Sequence, residues 1–324
     1  MKTLTKLVAF FAASVLVFAA CSKDEEKSDP GSGPVGPEPF VPLVIPSSNT
    51  AARYNVTSEG GLIDFVEIVP TTGNYIVGER QAASGVKTRA DKDVVRVVEG
   101  KFTAKEGNEY QLNGWGTVIV KFNEAGDGFL LSATPTDGAT VELPVTLQKS
   151  IAYDATTTQM SAAWELATVR IDLKVLSSKF DRECTLDELP QLQEDLISFF
   201  EEVVDDLPES IRESVDIYEM ADFSDLASNP LFFNQVRFTT TGTAITKRPE
   251  ECVVASWRWT EPGKSFVISF PDQGDNTAGV SFCNGQQLCI EPVIPQVEEI
   301  KAQMGAFVAL AFSCRVFAYL DKVN

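Results

Sequence analysis

The chain has 324 residues, a formal net charge of −19 at pH 7 and no histidine. Because such an acidic chain repels the phosphate backbone, we expect no nucleic-acid partner. The lack of histidine removes the most common general base and metal ligand, together with every Ser-His or Cys-His nucleophile pair. We therefore expect a protein that is not an enzyme and that uses no cofactor and no metal ion.

The first twenty residues have the pattern of an export signal. Lys2 and Lys6 give a positive start, and residues 7–20 are almost wholly apolar. About fourteen apolar residues are too few to cross a hydrocarbon core of about 30 Å as a helix, but they suit the apolar part of a signal peptide. Residues 1–20 are therefore predicted to be a cleaved signal peptide.

The segment that ends this signal is Val17-Phe18-Ala19-Ala20-Cys21. It resembles the lipobox of bacterial lipoproteins, and the resemblance implies that lipid is attached to Cys21 after cleavage. A single acyl chain anchors only marginally, whereas the several chains carried by that family hold a protein at a membrane. An ordinary signal peptide that happens to precede a cysteine is the alternative.

Residues 21–50 are predicted to be a disordered tether. An acidic run, Asp24-Glu25-Glu26, is followed by a segment rich in Pro, Gly and Ser that cannot bury a core. The acidic run directly after the cysteine resembles the surface-export signal of Bacteroidetes lipoproteins. This resemblance implies an outer-membrane protein whose body is exposed at the cell surface.

Between residues 51 and 150, short runs of Val, Ile, Phe and Tyr alternate with polar residues and are separated by Gly-rich turns. Strands are predicted at 62–69, 74–77, 94–98, 109–112, 117–122, 129–133 and 141–147. Alternation of this kind is typical of strands with one buried face. The fold class is therefore predicted to be mainly β (α+β), with antiparallel meanders that close into sandwich-like or barrel-like sheets.

Residues 151–324 are predicted to form a second β domain. Strands are predicted at 164–176, 234–241, 253–260, 265–270, 279–282 and 287–291. An acidic helical insertion is expected at about 185–228, because Leu189, Leu192, Leu196, Phe199, Val203 and Leu207 recur at helical spacing.

The ends of the helices in this domain are predicted from caps and spacing. We place the start of the first helix at Asp187, which puts Pro190 in the first turn, and a capping box of Thr185 with Glu188 is the alternative. A second helix is predicted at about 296–322, where apolar residues recur at spacings of three and four.

Several motifs of the second domain resemble a known family. They are Trp164-Glu165-Leu166, the segment 236–243, Trp257-Arg258-Trp259, Gly263 and Phe266-Val267-Ile268. In this order they are similar to the lipocalin-like surface lipoproteins of Bacteroidetes, most of which have no assigned function. The resemblance implies a small antiparallel barrel on a lipid tether. Ala162 stands where lipocalins have the glycine of Gly-x-Trp, so a deep ligand cup is not implied. Whether the two β domains arose by duplication is left open.

The four tryptophans are the candidate ligand-binding residues: Trp115, Trp164, Trp257 and Trp259. An exposed indole offers a flat apolar face to a sugar ring, and neighbouring acids or amides would take its hydroxyls. Packing of these aromatics in the core is the alternative. Cys283 and Cys289 flank a turn, so a local disulfide there is a second hypothesis.

These features favour a lipid-anchored, non-catalytic cell-surface protein that binds a glycan or a small apolar molecule. The alternative is a structural or assembly subunit, such as a fimbrial component or an accessory of an outer-membrane complex, with an envelope protein as partner. The basic segment 87–90 resembles a site at which fimbrial subunits are trimmed. The polar loop 272–276 lacks the spacing of a calcium loop and is interpreted as a turn.

Overall fold

A computed structural model describes residues 43–58, 61–80, 95–151, 154–175, 177–205, 233–247, 252–270, 274–293 and 312–323. Most of these residues lie in strands, which confirms the predicted mainly-β class. The chain divides into two compact units. Among the described residues, the first unit contains those up to 151 together with Thr239–Gly242, and the second unit contains the rest.

Eight antiparallel strands form a closed barrel in the first unit. They are β1 (Ala52–Val56), β2 (Ile63–Val69), β3 (Asn74–Arg80), β4 (Val95–Ala104), β5 (Glu109–Leu112), β6 (Gly116–Phe122), β7 (Phe129–Pro135) and β8 (Val141–Lys149). The barrel closes because β1 pairs with β2 on one edge and with β8 on the other, so that Arg53 lies opposite both Glu67 and Gln148.

Apolar side chains fill the interior of this first barrel. The buried core cluster comprises Ala52, Tyr54, Val56, Ile63, Val66, Ile68, Tyr75, Val77, Tyr110, Leu112, Trp115, Val118, Val120, Phe129, Leu131, Ala133, Leu143 and Val145. Gly100 makes room for the ring of Tyr75, because a Cβ there would lie 2.7 Å from a ring carbon. The Tyr75 hydroxyl donates a hydrogen bond to the Asn113 carbonyl at 2.8 Å.

A part of the outer face of this barrel is also buried. Glu67 alternates with the inward-facing Val66 and Ile68, yet it is 0% exposed. The hydroxyl of Thr241, which belongs to this unit, donates to Oε1 of Glu67 at 2.5 Å. The Gln148 amide donates to the Thr241 carbonyl at 2.5 Å. A buried carboxylate is therefore satisfied on the outside of the barrel.

The second unit contains a sheet of nine strands. They are β9 (Ala163–Val175), β10 (Ser178–Cys184), β11 (Gln235–Phe238), β12 (Thr243–Lys247), β13 (Cys252–Glu261), β14 (Ser265–Phe270), β15 (Gly274–Asn284), β16 (Gln287–Pro292) and β17 (Phe312–Lys322). The sheet closes because β9 pairs with β17 along its length and with β11 at its start. The free part of the second edge of β9 pairs with β10, so eight strands, β9 and β11–β17, close this second barrel and β10 lies outside the ring.

Two α-helices accompany this second barrel. They are α1 (Ala155–Met160), which was not predicted, and α2 (Leu189–Asp205). The Asp154 carboxylate accepts a hydrogen bond from the Thr157 N–H at 2.5 Å and so caps α1. None of the helices in the described part of the chain is long and apolar enough to cross a membrane.

The predicted apolar stripe of α2 is confirmed, but its predicted start is wrong. Leu192, Leu196, Phe199 and Val203 are buried. A 3-10 turn (Leu186–Glu188) precedes the helix, and Glu188 accepts a hydrogen bond from the Thr185 N–H at 2.9 Å. The capping box therefore replaces Asp187 as the start, because Pro190 still lies in a first turn that needs no N–H donor. The insertion beyond Asp205, including Leu207, lies outside the described residues until 233.

The predicted C-terminal helix is wrong where the chain is described. Residues 312–322 form β17, and residues 296–311 lie outside the described part. The same segment also alternates with period two, with Cys314, Val316, Ala318 and Leu320 on one side. Spacings of three and four arise in any segment so rich in apolar residues, and pairing with β9 and β16 decides the outcome.

Candidate functional site

One end of the second barrel is occupied by α1. Thr157 and Met160 on this helix are buried. The Trp164 indole donates a hydrogen bond to the Met160 carbonyl at 3.0 Å, and the Trp259 indole donates to the Thr157 hydroxyl at 2.9 Å. Because Trp164 lies at the start of β9 and Trp259 near the end of β13, the helix is fixed across this end of the barrel.

Aromatic rings fill the interior next to α1. Trp257 and Trp259 meet edge to face, with ring centroids 5.2 Å apart and planes at 85°. Phe238 and Phe266 pack on Trp257 in the same way. Edge-to-face contacts of this kind stabilise aromatic clusters beyond the area that they bury. This half of the barrel is therefore a packed core.

The tryptophans that the sequence analysis selected are mostly core residues. Trp115, Trp164 and Trp257 are 5%, 0% and 3% exposed, and Trp259 is half-buried. Trp115 lies in the first barrel, where its indole donates to Oε1 of Glu79 at 2.7 Å. Burial leaves the first three without an open face for a sugar ring, so their position favours the packing alternative. Cys21 lies outside the described residues.

The half of the second barrel that is remote from α1 is less completely filled. The register of β9 and β17 sets Val169 opposite Ala318, Ile171 opposite Val316 and Leu173 opposite Cys314. These residues continue the inward alternation of Leu166 and Leu320. Ile171 and Leu173 are buried. The remaining residues of these three pairs face the barrel axis and are still partly exposed: Val169, Cys314, Val316 and Ala318.

The inward face of this half is apolar and carries two polar side chains. Thr246 is 2% exposed, and its hydroxyl donates to the Val253 carbonyl at 3.4 Å. Asn276 is half-buried, and its amide donates to the Gly274 carbonyl at 3.3 Å. In this half, the described inward-facing positions of the eight strands that close the barrel bear no charged side chain. Arg182, on the same face of β10, is paired with Asp195 of α2, and Lys322 lies opposite Trp164 at the end that α1 occupies. We call this half, lined by Val169, Cys314, Val316, Ala318, Thr246 and Asn276, the open half.

Helix α2 covers the inner face of β10. Phe180 and Phe199 pack with their ring centroids 5.5 Å apart, and Arg182 forms an ion pair with Asp195 at 3.3 Å. Cys184 is 2% exposed, and burial raises the pKa of its thiol. The acids of α2 mostly face solvent, which agrees with their predicted position outside the apolar stripe.

No cluster in the described part of the chain has the composition of a metal site. Cys283 is exposed and Cys289 is buried, and the two thiols are not bonded to each other. The polar loop 272–276 is described only from Gly274, where the strand β15 begins. The segment 87–90 lies outside the described residues.

Comparisons with known proteins identify no family for this chain. No family model matches it, and no curated protein matches it. Three solved chains match, among them a protein of unknown function from the DUF3598 family of Nostoc punctiforme, which is 7% identical. That match covers 84% of this chain and 94% of the other with a TM-score of 0.22. A TM-score this low supports no statement about function, and the resemblance to Bacteroidetes lipoproteins stays a prediction.

Proposed function

We propose that the chain is a non-catalytic, lipid-anchored protein of the outer cell surface whose second barrel binds a small apolar ligand. The observation that carries the proposal is the open half, where Val169, Cys314, Val316 and Ala318 face the barrel axis and are still partly exposed. An eight-stranded barrel is just wide enough either to be filled by its own side chains or to hold one small ligand.

The chemistry of the open half favours an uncharged apolar molecule. A ligand that covers its aliphatic side chains gains about 25 cal/mol of binding free energy for each Å² of apolar surface removed from water. In the open half, the eight described strands that close the barrel place no charged side chain inward to compensate an ionised ligand, and burying an unpaired charge is costly. The Thr246 hydroxyl and the Asn276 amide supply the few polar groups that fix a ligand in such a pocket.

The place of action is inferred from the amino terminus. The apolar segment 7–20, Cys21 and the acidic, Pro/Gly-rich tether that follows are the features of an exported lipoprotein. The absence of histidine from the whole sequence favours binding over catalysis. An anchored binding protein of this kind would capture its ligand at the cell surface.

The ligand part of the proposal is tested with N-phenyl-1-naphthylamine, a neutral apolar dye that fluoresces in dry pockets. The full chain should bind the dye, and Val316→Trp should weaken binding at least tenfold because the larger ring fills the open half. Ser313→Trp is the matched control, since Ser313 is on the outer face of the same strand opposite Lys174. Equal binding by both variants, or none by the wild type, would refute the ligand site.

The anchor is tested by labelling cells with radioactive palmitate. The wild-type chain should carry the label and stay with the membrane fraction, whereas Cys21→Ser should lose both properties. Cys283→Ser is the control, because it removes a thiol that is exposed on the second barrel. Label that persists in Cys21→Ser would overturn the assignment of the lipid site.

A further inference from the structure

The outer face of β17 carries two aromatic side chains that the sequence had placed in a helix. Phe317 and Tyr319 are successive outward residues, and both are partly exposed. Their ring centroids are 6.4 Å apart, and their planes are inclined by only 26°. Two nearly parallel, partly exposed rings therefore lie next to each other on the outer face of β17, directly before the irregular pairing between Tyr319 and Leu320.

Two arginines are fixed over the Phe317 ring. Arg315 binds Glu291 through both carboxylate oxygens at 2.7 and 2.9 Å, and Arg170 binds Asp181 in the same way at 2.8 Å. Two-point contact of this kind fixes the orientation of a guanidinium group. The Arg315 guanidinium lies 4.7 Å from the centroid of the Phe317 ring, and that of Arg170 lies 6.0 Å from it.

The surface around the rings carries both positive and negative groups. We define the β17 face as the outward residues of 165–174, 179–183 and 313–321 together with Glu291. Its charged members are four basic and six acidic residues: Arg170, Lys174, Lys179 and Arg315, and Glu165, Asp172, Asp181, Glu183, Glu291 and Asp321. In a chain with a net charge of −19, this face holds donors and acceptors of both signs close together.

Asp181 and Arg315 keep their charge over a wide pH range. The paired Arg170 guanidinium lowers the pKa of Asp181 to about 2, through a hydrogen bond first and through charge second. The Glu291 carboxylate likewise raises the pKa of Arg315. The face therefore presents fixed donors and acceptors that alternate around the two rings.

We infer that the β17 face binds a neutral oligosaccharide. The C–H face of a sugar ring packs on partly exposed aromatic rings, and its hydroxyl groups both donate to carboxylates and accept from guanidinium groups. Because acidic groups on the face outnumber basic ones, it offers no long-range attraction to an acidic polymer. The centres of protein interfaces are poor in charged residues, whereas here ten charged side chains surround two rings.

The β17 face is distinct from the ligand site proposed inside the second barrel. Phe317 and Tyr319 alternate with Val316 and Ala318, so the rings lie on the opposite side of β17 from the open half. Loss of one site does not remove the other, and each therefore has its own test.

The test is affinity electrophoresis of the full chain in gels that contain mannan, laminarin or soluble starch, with hyaluronan as the acidic comparison. At least one neutral polysaccharide should retard the wild-type chain, and hyaluronan should not. The double variant Phe317→Ala with Tyr319→Ala should bind at least tenfold more weakly. Phe122→Ala is the matched control, since Phe122 is a 40% exposed aromatic of the first barrel.

Two measurements keep the result decisive if the double variant folds poorly. Tyr319→Phe keeps the ring and should retain binding within about threefold. Carbene footprinting of the wild-type chain should show protection of residues 313–319 when the retarding polysaccharide is present. Retardation by none of the neutral polysaccharides, equal retardation by hyaluronan, or protection elsewhere would each overturn the inference. So would a protein captured through the same rings in place of a glycan.

Discussion

The two barrels share a strand number and differ in what their strands enclose. In the first barrel three tyrosines, Trp115 and a set of aliphatic residues meet at the axis, and Gly100 is needed to fit Tyr75 among them. In the second barrel the short helix α1 and an aromatic cluster fill one half, while Val316 and Ala318 stay partly exposed in the other. Strand number limits the width of a barrel, but the side chains decide whether space is left.

The barrels also differ in where they place charged groups. The first buries Glu67 on its outer face, where the Thr241 hydroxyl donates a hydrogen bond to its carboxylate and the positive charge of Arg53 attracts it. On its own outer face the second keeps Arg170, Asp181, Arg315 and Glu291 as partly exposed pairs. A buried group must be satisfied to be tolerated, whereas an exposed pair adds little to stability and stays available to a ligand.

The largest effect is expected from breaking the buried group. Glu67→Ala should destabilise the chain by about 3 kcal/mol, because it removes the acceptor of the buried Thr241 hydroxyl and the negative charge that faces the half-buried Arg53. Asp181→Ala, which breaks an exposed pair, should leave the thermal midpoint almost unchanged. Urea unfolding of the two variants measures how much free energy of unfolding each one loses. Similar losses would show that the buried Glu67 contributes no more to stability than the exposed pair of Asp181.

The same substitution in the two interiors sharpens the comparison. Val118 is fully buried in the first barrel, so Val118→Ala should cost about 2 kcal/mol through lost burial and a new cavity. Val316 is already partly exposed, so Val316→Ala should cost less than about 1 kcal/mol. Equal losses in urea unfolding would mean that the second interior is as well packed as the first.

Alkaline pH should weaken the first barrel before the second. Burial raises the pKa of Tyr54, Tyr75 and Tyr110 above the ordinary value of 10.0. Their raised folded pKa means that their contribution is fully present below pH 10 and is lost as the pH rises further. Thermal unfolding between pH 8 and 11.5 is monitored through hydrogen exchange in each barrel. Strands β1, β3 and β5 should become exposed at a lower pH than the strands of the second barrel. Simultaneous loss of both barrels would contradict this.

The smallest effect is expected at the helix that occupies the end of the second barrel. Asp154→Ala removes the cap of α1 and should loosen Thr157, so that the Trp259 indole loses a partner and its fluorescence shifts to the red. Hydrogen bonds from Thr157 lower the pKa of Asp154, so the wild type should show the same shift only as the pH falls below 3.8. Asp154→Asn keeps an acceptor oxygen and should preserve the wild-type spectrum at neutral pH.

Elements whose sequence pattern has a single interpretation could be predicted from the sequence. The predicted strand at 265–270 matches β14, because Phe266, Ile268 and Phe270 alternate with polar or outward residues. The apolar stripe of α2 was found for the same reason, since four buried residues recur at helical spacing. Elements of ambiguous or weak pattern, such as β10 and α1, were missed.

The candidate site was harder to predict than the fold. Trp115, Trp164 and Trp257 were chosen for their chemistry, but burial depends on which side of a strand faces the core. Phe317 and Tyr319 were passed over because their segment fits a helix as well as a strand. They could have been found by treating 312–322 as a strand and noting which of its aromatic residues would then face outward.

The amino-acid sequence by itself determined the acidic balance, the lack of histidine, the alternation that builds most strands and the signal that predicts an anchor at Cys21. These properties are local or are sums over the chain, so no folding is needed to find them. Only the tertiary structure decided that residues 312–322 are a strand, that Glu67 is buried and that one barrel is filled more completely than the other. Each of these depends on partners distant in the sequence, and pairing with such partners overrides local preference.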